Sequence, residues 1–83
     1  MAIAAADVRR LLDDERGDAV LVFIEGRAEV ISQAEADDED YRGALQVVSR
    51  EDLIKRLGGD EPSDRELDEQ AAILDSTVSE LGG

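Results

Sequence analysis

Apolar residues along the chain recur at helical spacing, run consecutively, or alternate with polar ones, and each pattern predicts its own element. Ala4, Val8, Leu11 and Leu12 repeat at three and four with charges between them, which predicts an amphipathic helix of about three turns over Ala4 to Arg16. Gly17 is placed to end it. Asp13, Asp14 and Glu15 oppose the helix dipole there, so the last turn should fray unless Arg16 or another cation compensates. Ala19 to Ile24 is an unbroken run of strand-forming residues and reads as a buried strand. Arg27 to Ser32 follows with partial alternation, and the two residues between them, Glu25-Gly26, predict a tight hairpin. That register sets Phe23 opposite Ala28 and Leu21 opposite Val30 on one apolar face. The other face pairs Ile24 with Arg27 and Val22 with Glu29, and is mixed.

Gln33 to Arg42 is polar and carries four consecutive acids, Asp37, Asp38, Glu39 and Asp40, so a loop is expected. Ser32 and Glu35 have the capping-box spacing that would start a short helical turn within it. Ala44 to Val48 is the third strand candidate. Ser49 and Asp52 have N-cap spacing, and Leu53, Ile54 and Leu57 form the stripe of a short helix that Gly58-Gly59 ends. Ser63 and Glu66 repeat the capping-box spacing after Pro62. From there Leu67, Ala71, Leu74, Val78 and Leu81 recur at four, three, four and three, one narrow seam along a final helix. Docking of that seam on the chain's own sheet is the expectation, since two heptads are too few to argue a coiled coil. Ile73 lies off the seam, as a second-row core residue or an exposed contact with a partner.

In order the elements read α-β-β-β-α-α without internal repeat. The expected fold is a small α+β domain spanning 1–83, a three-stranded, mainly antiparallel sheet covered by helices on one face. The long polar segment before Ala44 to Val48 leaves the pairing partner of that strand open. A chain of this length buries roughly 60 to 65% of its unfolded surface. Phe23 and Tyr41 are the only aromatics and there is no cysteine, so aliphatic packing, with oligomerisation as a supplement, must supply the stability.

Charge narrows the function classes. Twenty-two acids against nine bases give a net charge of −13, and the pI is about 4.1. Such a chain repels phosphate backbones and anionic membranes; the acidic balance reads first as solubility, and as attraction to a basic partner in the sharper alternative. No nucleic acid and no membrane partner is therefore expected, and the expected partner is another protein, a basic one by charge. Met1 to Ala6 is too short for a secretory leader and no stretch is long enough to span a bilayer, so the expected compartment is the cytoplasm. Eight Arg against one Lys, with no Asn, fits a GC-rich bacterial coding sequence.

Chemistry is sparse. Without His or Cys, neither a Ser-His-Asp nor a Cys-His arrangement can be built, nor a zinc site of nitrogen and sulfur ligands. No catalytic residue, cofactor or metal is expected. Read as a calcium loop from Asp38, the acid cluster puts Arg42 at the fifth position and Ser49 at the twelfth, where an oxygen ligand and a bidentate Glu are required. The glycines form no phosphate cradle. The expectation is a non-catalytic protein-interaction or regulatory domain, monomer or homodimer, with Asp37, Asp38, Glu39, Asp40 and Ile73 as the candidate interaction surface. The alternative is a carrier or metal-binding accessory protein using Gly83, Ser76 or the Asp37 to Asp40 segment.

Overall fold

A computed structural model describes residues 2–59 and 61–80. Its elements are α1 (Ala5–Asp13), β1 (Ala19–Ile24), β2 (Arg27–Ser32), α2 (Gln33–Ala36), a 3-10 turn (Glu39–Tyr41), β3 (Leu45–Ser49), α3 (Arg50–Leu57) and α4 (Asp64–Glu80). The three strands form one antiparallel sheet in the order β2-β1-β3, so the most apolar strand takes the centre. The α+β fold is the one the pattern predicts, and the hairpin register is as expected, with Leu21 opposite Val30 and Phe23 opposite Ala28. Its two turn residues both have positive φ, 50° at Glu25 and 79° at Gly26, the backbone that matches strand twist in a two-residue loop.

The pairing that the sequence left open joins β3 to the free side of β1, with Phe23 opposite Leu45 and Leu21 opposite Val48. Leu45 and Val48 are three apart, so simple alternation would put them on opposite faces. A bulge solves this. The register shifts between Leu21 and Val22, leaving Val47 as the extra residue and returning Val48 to the face of Leu45.

That face carries the main core. Leu21, Val48, Leu53 and the α1 residues Val8, Leu11 and Leu12 pack there with the α4 seam, of which Leu67, Ala71, Leu74 and Val78 are all buried. Leu81, the last position of the predicted seam, lies outside the described residues. Full burial of a Leu or Val contributes about 1.5–3 kcal/mol, so this aliphatic cluster is the principal stabilising feature. The capping expectations hold at three helices: Ser32, Ser49 and Ser63 each accept a hydrogen bond from the backbone N–H three residues on. α3 ends at Gly58, whose φ of 76° is the left-handed C-cap.

Helix α1 stops earlier than predicted, at Asp13 rather than near Gly17. Asp14 is extended, and its carboxylate accepts from the Arg16 backbone N–H at 2.9 Å and from the Arg16 guanidinium at 2.7 Å, a local turn that competes with another helical residue. The compensating cation at the helix end comes from elsewhere in the chain. Arg50 Nε donates to the Leu12 carbonyl at 3.0 Å. At the other end of the molecule, the Ala2 and Ile3 N–H groups both donate to Asp75 Oδ1, the latter at 3.1 Å. This pins the start of the chain to α4 with Ile3 fully buried.

Candidate functional site

The sheet's second face, which the sequence reads as mixed, is where the structure adds most. Val20, Val22 and Ile31 form a small separate core there, covered by Ala36, Tyr41 and Ala44. The cover is the segment expected to be a loop. It begins without a break at the end of β2, where Ser32 Oγ accepts from the Glu35 N–H and Glu35 Oε1 accepts from the Ser32 N–H, each at 3.1 Å. The Gln33 N–H donates to the Asp18 carbonyl at 3.1 Å, which ties the start of α2 to the foot of β1. Arg16 bridges Asp14 and Glu35, both at 2.7 Å, and so joins the end of α1 to α2. Glu35 is held below its ordinary pKa chiefly by its bonds to Ser32, and Asp14 is lowered to about 2 chiefly by the Arg16 side chain.

The four acids therefore stand on a folded connection and not on a solvated loop. Asp38 starts the 3-10 turn, its Oδ1 accepting from the Asp40 N–H at 3.1 Å. Asp37, Asp38, Glu39 and Asp40 are all exposed. Tyr41 closes the turn half-buried over the second core. Its phenol is raised above its ordinary pKa by burial first, then by the Glu29 and Glu35 carboxylates, with a smaller contribution from Asp40 and partial relief from Arg27. The acidic charges that act on this aromatic are thus the Glu29, Glu35 and Asp40 carboxylates, of which Glu29 is paired with Arg27 and Glu35 with Arg16.

The cover is partial. It packs over β1 and β2, while toward β3 the face opens into a depression of about 340 Å³ lined by Val20, Gln33, Gln46, Val47, Val48, Ser49 and Asp52. Gln46 and Asp52 are exposed beside it. A second hollow of about 270 Å³ lies at the α3–α4 connection, between Leu57, Gly58, Gly59 and the carboxylates of Glu61 and Glu66.

The candidate residues from the sequence are not brought together. Asp37 to Asp40 lie on the second face, whereas Ile73 is on α4, the helix whose seam packs against the first. Ile73 is 51% exposed, the only large apolar side chain so exposed among the described residues, and one side chain makes no groove. Ser76 is exposed near the C-terminal end of α4, and Gly83 lies outside the described residues. Among the described residues, no group of three or more carboxylates is placed to hold a metal ion, and no helix is long and apolar enough to cross a membrane. Tyr41, in sequence a loop aromatic that packs or lies on the surface, packs half-buried on the second core, while Gln46 and Asp52 were not read as the rim of a groove. One signal for the groove was available: Leu45–Ser49 contains no charged residue in a chain that is 37% charged. No protein-family model, curated protein or solved structure matches this chain.

Proposed function

We propose that this chain is a non-catalytic protein-interaction or regulatory domain, acting in the cytoplasm, that binds a basic protein through the second face of its sheet. The observation that carries the reading is the placement of Asp37 to Asp40 on a folded, hydrogen-bonded connection, between Ala36 and Tyr41, which pack on the second core of the sheet. Charges held on a folded segment lose less side-chain and backbone entropy on binding than charges on a free loop. The net charge of −13 adds long-range attraction for a cationic partner and repulsion of phosphate. The absence of His and Cys from the sequence supports a binding role over nucleophilic catalysis.

The test is capture from native lysate at low and at moderate salt, beside a charge-matched acidic control. Specific recovery of a basic protein, weakened as salt rises, is expected. The paired variant Asp37→Asn with Asp40→Asn should reduce recovery while leaving the melting curve close to that of the parent. Recovery equal to the control at both salts would overturn the proposal.

A further inference from the structure

We infer that the outer edge of β3 receives an extended segment of the basic partner as a fourth strand, a mode of binding that rests on the interaction reading above. The backbone geometry identifies where. In a two-residue hairpin the residues flanking the turn exchange both of their hydrogen bonds, so Ile24 and Arg27 are such a pair. Alternation then directs the N–H and C=O groups of Val22 and Val20 toward β2, and those of Phe23 and Leu21 toward β3. On β3 the inward partners are Leu45 and Val48, opposite Phe23 and Leu21. Gln46 lies opposite Val22 and therefore turns its N–H and C=O away from the sheet. Among the described residues no strand pairs with β3 on that side.

The two edges of the sheet differ in how they are guarded. β2 carries Arg27 and Glu29, which are ion-paired with each other, whereas β3 reads Leu-Gln-Val-Val-Ser with neither charge nor proline. The bulge at Val47 limits the usable edge to a short stretch centred on Gln46. The depression of about 340 Å³ beside it, lined in part by Gln46, Val47 and Val48, gives room for alternate side chains of an added strand. Charge selects the occupant. Asp52 rims this groove, and a second copy of the chain would bring another −13 to the contact. A cationic extended segment meets no such repulsion.

The experiment uses the full chain and a capped seven-residue peptide of alternating Val and Arg, with a Val and Glu peptide as its counterpart. Backbone amide exchange is read by NMR. In the free protein the Gln46 amide should exchange much faster than those of Leu45 and Val48. The Val/Arg peptide should slow Gln46 about tenfold or more, and the Val/Glu peptide should leave it unchanged. Gln46→Pro removes the outward donor at an edge position where proline is tolerated. Gln46→Lys keeps the donor but adds repulsion. Each should weaken Val/Arg binding about tenfold while Leu45 and Val48 stay protected. Binding that perturbs only Asp37 to Asp40 and leaves Gln46 exchange untouched overturns strand addition yet leaves the interaction reading intact. Failure of the Val/Arg peptide to bind also overturns strand addition, and the lysate capture then decides the interaction reading separately. Protection of Gln46 that grows with protein concentration alone overturns it in favour of pairing between copies.

Discussion

At the scale of single residues, two positions make opposite demands on the chain. Glu25 holds a φ of 50° at the hairpin tip, a conformation that a side chain with a Cβ adopts at a cost, and that Asn tolerates far better. Arg27 pairs with Glu25 at 3.1 Å, but both side chains are well exposed, so the ion pair offsets little of that cost. Glu25→Asn is therefore expected to stabilise the domain by about 0.5–1 kcal/mol, read as a higher denaturant midpoint at unchanged slope. Asp75 is the reverse case. Its carboxylate is lowered in pKa by the Ile3 and Ala2 N–H groups that donate to it, and it is the anchor that holds the start of the chain on α4. Asp75→Ala should release that segment, so that the Ile3 amide exchanges faster and the melting temperature falls. Unchanged Ile3 exchange in that variant would show that the burial of Ile3 alone holds the segment in place.

At the scale of elements, the seam and the second-face cover separate what packing decides from what it does not. Leu74 is buried on the α4 seam and Ile73 beside it is exposed. Leu74→Ala should cost about 2–5 kcal/mol, a large share of the roughly 4–12 kcal/mol expected of a domain this size. Ile73→Ser should stay within about 0.5 kcal/mol of the parent, and chemical denaturation distinguishes the two directly. The seam was legible in the sequence because a helix bound to one sheet must repeat its apolar residues every three to four positions, and Leu67 to Val78 do so. The hairpin was legible because two apolar runs two residues apart admit few registers. The cover over the second face was not, because only Ala36, Tyr41 and Ala44 of it touch the core, and four consecutive acids mask so sparse a pattern. The β3 edge escaped for a different reason: which side of β1 a strand pairs with is set by long-range packing, and the bulge at Val47 breaks the period that would have revealed its faces. Tyr41 is the chain's only tyrosine and there is no tryptophan, so its fluorescence isolates this cover. Its phenol should titrate above 10, and Tyr41→Ala should loosen the Ser32 to Ala44 segment before the main core, seen as earlier amide exchange there.

At the scale of the whole molecule, charge sets stability against pH in two opposing limbs. Near neutrality a net charge of −13 on 83 residues repels itself in the folded state more than in the expanded one, and that repulsion destabilises the fold. Added salt at pH 7 should therefore raise the melting temperature, against the loss that ion pairs alone would give. Lowering the pH from 7 toward 5 should raise it too, as carboxylates begin to take up protons and the repulsion falls. Below that the direction reverses. Asp14 is held at about 2 against an ordinary 3.8, and Glu35 and Asp75 are also lowered, so each binds its proton less tightly in the folded chain than in the unfolded one. Their contribution is fully present above about pH 5 and is lost as pH falls through 4 toward 2. The two limbs together give a stability maximum in mildly acid solution, between about pH 4.5 and 5.5. Thermal melts from pH 2 to 8 at two salt concentrations check this, and the acid limb should be shallower in Asp75→Asn, which removes one of the three groups that drive it. A melting temperature that is highest at pH 7 and insensitive to salt would mean that the nine cations already neutralise the acids locally, through pairs such as Arg16 with Asp14 and Glu35, and that little net field is left to attract a distant partner.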